Sequence, residues 1–305
     1  MIEKGKSELN KQTLLAKFTH YLQGFAISAE EFLSKITGVS ELLVEKNSNQ
    51  YQFAHNKFRD YLAAKEIERC KTPHLLVEQG ENSQWQDTTL FYIEIVENPS
   101  LIIQELVDAW ALDRAYDCLR RLDHKKYAPP ITAKLKDIEQ QIRKLRYQKL
   151  EEYMMSGQWR EADQLTYKVM IGVLGKEYGR WFESEELLNF PCGDLLKIDG
   201  LWVKSSGGKF GFSIQKEIIK KCGYKLDGNY PTSEVWDDFC HEVGWRDKKT
   251  RNSYPPLYTL DINTKAGALP ALRKGGTGHL GKVLLVEGRG GRVSSLASRL
   301  VDCSR

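Results

Sequence analysis

Between Ile198 and Gln215 the chain runs through Ser205, Ser206, Gly207 and Gly208, with Trp202 and Val203 on one side and Phe210 and Phe212 on the other. Paired glycines let the backbone bend where a side chain would obstruct it. The elements on either side therefore turn back with large apolar residues close to the bend. Lys204 and Lys209 place positive charge beside that aromatic surface. No other segment points as firmly to a ligand.

The rest of the composition sets outer limits. A chain of 305 residues is long enough for two domains of ordinary size. With 41% hydrophobic and 28% charged residues it belongs to the globular class, not the disordered one. No apolar run approaches the ~20 residues of a membrane span, and Met1 to Lys6 lacks the apolar stretch of a secretory signal. Cys70, Cys118, Cys192, Cys222, Cys240 and Cys303 are widely separated. That spacing argues against a zinc site or a disulfide framework and suits a reducing cytoplasm. The net charge of +4 is too small to imply nucleic acid, but it is unevenly spread. Residues 151–239 hold 11 Lys/Arg against 15 Asp/Glu, and residues 240–305 hold 12 against 5. The last segment suits a carboxylated ligand or an acidic membrane surface, and equally a solvated basic tail.

Residues 1–125 read as helical with a short β element. Leu14, Leu15, Phe18, Leu22 and Phe25 recur at helical spacing, as do Phe58, Tyr61, Leu62 and Ala64. Between them, residues 42–53 form two apolar stretches about Asn47, Ser48 and Asn49, the pattern of a hairpin. Helix, hairpin and helix make a winged-helix order. The stretch from Phe53 to Ala64 also resembles the F-x-H-x-x-F-x-x-Y-L-A-A segment that follows the winged helix in NACHT-type signalling ATPases. Phe53, Phe58 and Tyr61 are expected in the core, and His55 as a buried hydrogen-bonding histidine. Gly5, Lys6 and Ser7 copy the tail of a P-loop, but without the upstream strand and first glycine that a phosphate cradle needs. The resemblance therefore implies a remnant without its motor.

Ala128, Pro129 and Pro130 mark the expected boundary, because a proline pair interrupts a helix. Two helices follow, at about 132–155 and from Trp159 to Val173, broken at Ser156 and Gly157: a hairpin like one tetratricopeptide unit. Further helices are expected at 183–188, 191–200, about 212–222 and about 232–243, the last capped by Ser233 with Trp236, Phe239 and Val243 inward. Residues 246–292 read as mainly loop, with seven glycines between 275 and 291. A short helix over 293–300 closes the chain.

Over residues 151–303 the order of motifs resembles the Genomes Uncoupled Four family of tetrapyrrole-binding regulators. The matching stretches are Gly157 to Asp163 with Thr166 and Met170, then Asn189 to Cys192 with Asp194 and Leu195, then Ile198 to Val203. Gly208 to Gln215, Val243 to Arg246 and Ser294 to Leu300 complete the series. The resemblance implies an all-helical domain, likened to a cupped hand, that binds protoporphyrin IX or magnesium protoporphyrin IX and stimulates magnesium chelatase in chlorophyll biosynthesis. Carried over by position, it implies porphyrin contacts at Val203, Phe212, Trp245, Arg246, Leu269 and Arg273. Leu269 to Arg273 fall in the family's mobile covering loop. It further implies the large subunit of magnesium chelatase as partner, a cytoplasmic location peripheral to thylakoid membranes, and an origin in an oxygenic phototroph. The sequence departs from the family at residues 264–270, where Ala-Pro-x-Gly-His-Leu-Pro is usual, and at Val293, where phenylalanine is usual.

A porphyrin is a flat apolar plate with two carboxylates, so its faces need apolar partners and its edge needs cations. Arg246 and Arg273 can supply bidentate partners for propionates. Trp159, Trp202, Trp236 and Phe210 fit core packing better than ligand contact. His241 and His279 have no evident supporting group for haem ligation, and a magnesium porphyrin needs neither. No cleft motif of paired carboxylates, nucleophile elbow or metal-ligand cluster points to an enzyme. The fold expected is therefore mainly α: a winged-helix and helical remnant over 1–127, then an all-helical tetrapyrrole-binding domain over 132–305 with a hairpin at 132–175 and a core at 180–305. The reading is a porphyrin-binding regulator with no required cofactor. Its alternative is a non-catalytic signalling adaptor, with the helical domain as a protein-interaction or porphyrin-sensing module.

Overall fold

Short polar side chains open several of the helices. Asn10 accepts from the Thr13 N–H at the start of α1 (Lys11–Tyr21), and Ser28 accepts from the Glu31 N–H at the start of α2 (Ala29–Gly38). Each satisfies a donor that the first helical turn leaves unpaired. The computed structural model describes residues 8–176, 180–245, 263–272 and 289–304. It divides into two compact units, Met1–Ile142 and Arg143–Arg305.

In the first unit the expected hairpin is present as β2 (Leu43–Asn47) and β3 (Gln50–Phe53), turning at Asn49 with φ +70°. A third strand, β1 (Glu8–Asn10), pairs antiparallel with β3, so the sheet order is β1-β3-β2. Three residues are too few to carry a readable alternation, so the sequence did not announce β1. Leu14, Leu33, Leu43 and Tyr51 form the small core of helices and sheet. The unit continues through α3 (Asn56–Cys70), α4 (His74–Glu78), α5 (Gln86–Ile95), α6 (Ser100–Asp108) and α7 (Leu112–Arg121). Here three expectations fail. Phe58 and Tyr61 are 47% and 40% exposed, not core, although Tyr61 meets Phe91 edge-on at 5.7 Å. Ala64 and Ile67 make the buried face of α3 instead. His55 is exposed, and its Nδ1 caps α3 by accepting from the Lys57 N–H at 3.1 Å. The spacing showed a helix but not which side of it faced the core.

The proline pair begins a helix where interruption was expected: α8 runs Pro129–Met155. Proline suits a first turn because its missing N–H would have no partner there. The two units divide within this helix, after Ile142. In the second unit follow α9 (Trp159–Val173), α10 (Ser184–Leu188), α11 (Cys192–Ser205), α12 (Phe212–Lys221), α13 (Ser233–Glu242) and α14 (Arg289–Cys303). Among the described residues the fold is mainly α, with fourteen α-helices and the one small sheet. Thr232, not Ser233, caps α13 by accepting from the Val235 N–H. The last helix is nearly twice the expected length.

That last helix organises the unit, packing on α10, α11 and α12. Ser294, Ser295, Ala297 and Ser298 are all buried on it, and such small residues let neighbouring backbones come close. Ser298 accepts from the Gly228 N–H at 2.9 Å, and Arg299 donates from Nε to the Phe190 carbonyl at 2.8 Å. At the two ends, Cys303 of α14 and Cys192 of α11 are joined by a disulfide. This overturns the reading of the cysteine spacing. The two lie 111 residues apart, and only the packing of α14 on α11 brings them together.

Candidate functional site

The bend between α11 and α12 is built as tightly as its sequence implies. Gly207 and Gly208 both have positive φ, and the Ser206 hydroxyl accepts from the Lys209 and Phe210 N–H groups. Gly211 then takes φ +140°, and a Cβ there would lie 2.8 Å from Val203 Cγ2 and 2.9 Å from Asp199 Oδ1. Only glycine fits. Asp199 Oδ1 also accepts from the Ser213 N–H at 2.8 Å, capping α12 from the helix before it.

The bend sends its two phenylalanines to different surroundings. Phe210 is fully buried against Trp159 and Trp202, with ring centroids 5.4 and 6.3 Å away. Phe212, the first residue of α12, is also buried, at 2% exposure, and borders a narrow apolar cleft with Trp245, Pro270, Ala271, Leu272, Val293 and Leu296. The cleft has about 20 Å³ of open space, and its polar margin is Gln215 and Arg292. Trp245 is held from behind by Trp236 at 6.2 Å and Phe239 at 5.6 Å. Its Nε1–H donates to the Ala268 carbonyl at 2.8 Å.

One wall is an irregular segment fixed by hydrogen bonds. The buried Asp163 carboxylate accepts from the Ala271 and Leu272 N–H groups at 2.6 and 2.9 Å. Gln215 Nε2 donates to the Gly267 and Pro270 carbonyls at 3.0 and 2.8 Å. Backbone bonds from Gly211 N–H to the Leu269 carbonyl and from Gly267 N–H to the Lys209 carbonyl tie the segment to the bend. Gly267 has φ +73°, and a Cβ there would fall 2.6 Å from Ile218 Cδ1. Residues 267–272 are thus fastened at both carbonyls and amides. The resemblance assigns Leu269 to a mobile cover; here its side chain is fully buried in the core.

Of the residues expected at the ligand, Phe212 and Trp245 come together at the cleft. Val203 is half-buried against Gly211, outside the cleft lining, and Leu269 lies behind the wall. Arg246 and Arg273 fall outside the described residues, as do Gly5, Lys6, Ser7 and His279. Trp159, Trp202, Phe210 and Trp236 are buried core residues, and Phe212 and Trp245 belong to the same core cluster. Arg292 was missed. It belongs to the stretch read as loop, and its place at the cleft depends on α14 beginning at Arg289.

Most of this apolar cleft, with the wall braced by a buried carboxylate, falls in a part of the chain that has known relatives, whereas Arg292, Val293 and Leu296 come from α14. A family model described as GUN4-like matches residues 140–283. The likeness to that family covers just under half of the chain. A Ycf53-like protein from Synechocystis is 27% identical over 130 residues, which are 42% of this chain and 52% of the relative. The chloroplastic tetrapyrrole-binding protein of Arabidopsis thaliana is 37% identical over 75 residues, 24% of this chain and 28% of that protein. The chain spans about half the length, or less, of the curated relatives it matches. A ligand-free structure of Arabidopsis thaliana GUN4 aligns over 91% of its length with 50% of this chain, at 22% identity and a TM-score of 0.37. The GUN4-like match begins in α8 and takes in the bend, Phe212, Trp245 and the braced segment; α14 lies beyond it.

Among the described residues no group of three His, Cys, Asp or Glu side chains could hold a metal ion. No helix among them is long and apolar enough to cross a membrane.

Proposed function

We propose that the GUN4-like domain binds protoporphyrin IX and magnesium protoporphyrin IX at the cleft bounded by Phe212, Trp245 and Leu272, and that the loaded protein stimulates magnesium chelatase in chlorophyll biosynthesis. The observation that carries the binding is the cleft itself. Its lining is apolar and aromatic, its anchors are preset by hydrogen bonds, and a cation stands at its margin. Its open space is only about 20 Å³, far below the ~300–1,000 Å³ usual for ligand sites, so a macrocycle enters only if the cleft walls part. The chelatase partnership and any thylakoid association rest on the family likeness. In this role the protein presents a substrate-like pigment and does no chemistry on it.

Titrating the full chain with protoporphyrin IX while following tryptophan fluorescence tests the reading, because Trp245 lines the site. Saturable quenching with a submicromolar Kd is expected. An unchanged spectrum would leave the adaptor reading, which the exposed Phe58, Tyr61 and Leu62 of α3 favour as a contact face in the first unit.

A further inference from the structure

Arg292 is the fourth residue of α14 and stands in its first turn. That is a poor place for a cation, because the unpaired N–H groups of a helix start already make it electropositive. It is also partly desolvated, and burial pushes its guanidinium below the usual range although Tyr167 and Glu183 act in the opposite direction. A desolvated charge normally has a carboxylate beside it. Arg292 makes no hydrogen bond or ion pair with any of the described residues. Its neighbour is Trp181, with the guanidinium carbon 4.5 Å from the ring centroid. That contact orients the planar group and leaves its N–H donors unspent. The other residues lining the same cleft are apolar except Gln215, whose amide donors already serve Gly267 and Pro270.

A site of this kind is complementary to a molecule with an apolar body and one anionic group at its edge. Resting on the porphyrin reading above, we propose that Arg292, stacked on Trp181, receives one carboxylate of the bound tetrapyrrole and makes the cleft select acidic porphyrins over neutral ones. The guanidinium offers a carboxylate two parallel N–H donors, and the α14 terminus reinforces the same sign of charge. Phosphate would satisfy the cation equally well, but it has no use for Phe212, Trp245, Leu272 and Leu296.

The test uses the full chain and two probes, protoporphyrin IX and its dimethyl ester, whose ring is the same and whose carboxylates are masked. The wild type is expected to bind the free acid at least about tenfold more tightly, or about 1.4 kcal/mol. Arg292→Gln should reduce the ratio of the two Kd values to about one while leaving the ester Kd nearly unchanged. Arg292→Lys should recover part of the ratio, because it restores charge without the planar fork. Neither variant should lower the melting temperature, since no protein carboxylate loses its partner. If Arg292→Gln keeps the acid preference, or weakens acid and ester alike, the assignment fails while the porphyrin reading stands. If the wild type binds neither probe, both fail together.

Discussion

Phe210 and Phe212 are separated by one glycine and are both buried, but they pack against different neighbours. Phe210 closes an aromatic cluster with Trp159 and Trp202, so Phe210→Ala should cost about 3–5 kcal/mol and lower the melting temperature sharply. Phe212 borders the cleft but is itself buried, so Phe212→Ala should raise the protoporphyrin Kd by about tenfold, equivalent to about 1.4 kcal/mol of lost contact, on top of the stability lost at a buried position. Parallel melts and titrations of the two variants check this. Equal unfolding by both, with no selective loss of binding, would make them common core residues. The bend itself was readable in the sequence, because Ser-Ser-Gly-Gly and Gly211 mark it; that both phenylalanines end up buried was not. Val203 shows where such reading stops. Its apolar character was plain, but its place against Gly211, where an added Cβ would lie 2.8 Å from its Cγ2, is set by packing that no spacing encodes. For Phe58 and Tyr61 the helical period was right and the buried side wrong, since aromatic residues alone do not say which face of a helix another element will cover.

Elements were more readable than the bonds between them. The helices from α8 to α13 follow from periodic apolar residues and flanking glycines, whereas the brace on residues 267–272 joins Asp163 of α9 and Gln215 of α12 to backbone groups far along the chain. A carboxylate accepting two buried N–H groups is a charge-assisted contact, worth about 1.5–3 kcal/mol for each hydrogen bond. The Cys192–Cys303 disulfide is another long-range link, fixing the end of α14 to the start of α11. Its reduction should destabilise the second unit by about 2–4 kcal/mol, as expected when a long loop is released in the unfolded chain. Thiol alkylation read by mass spectrometry separates the cysteines. Cys70 is exposed, but its hydrogen bond to Glu66 holds its pKa above the ordinary thiol value, so its labelling should rise as pH increases. Burial pushes the Cys118 thiol up to about 12, so it should stay unlabelled at pH 8 until the protein unfolds. Cys192 and Cys303 should label only after reduction. Labelling of either in the oxidised native protein would contradict the link.

At the scale of the whole molecule, the position of the division decides which piece can stand alone. Pro129 and Pro130 supplied the sequence-based boundary, yet they open a helix whose residues belong to both units. Leu135, Ile138 and Ile142 are buried residues of the first unit, whereas Tyr147, Leu150 and Met154 belong to the core of the second. A fragment of residues 143–305 therefore keeps the apolar stripe that its own core uses. A fragment of residues 132–305 carries three further apolar side chains with nothing of their own unit to cover them, which favours self-association. Both are expected to give helical circular dichroism and a cooperative melt, because the disulfide, the Trp202 cluster and the brace all lie beyond residue 143. The 143–305 fragment should also bind protoporphyrin IX with a Kd within about threefold of the full chain's, a difference of under 1 kcal/mol. Gel filtration over a range of concentrations, followed by the same titration, makes the comparison. Should residues 143–305 prove insoluble and unfolded while residues 132–305 fold, the first half of α8 is part of the second folding unit, and that unit begins at the prolines after all.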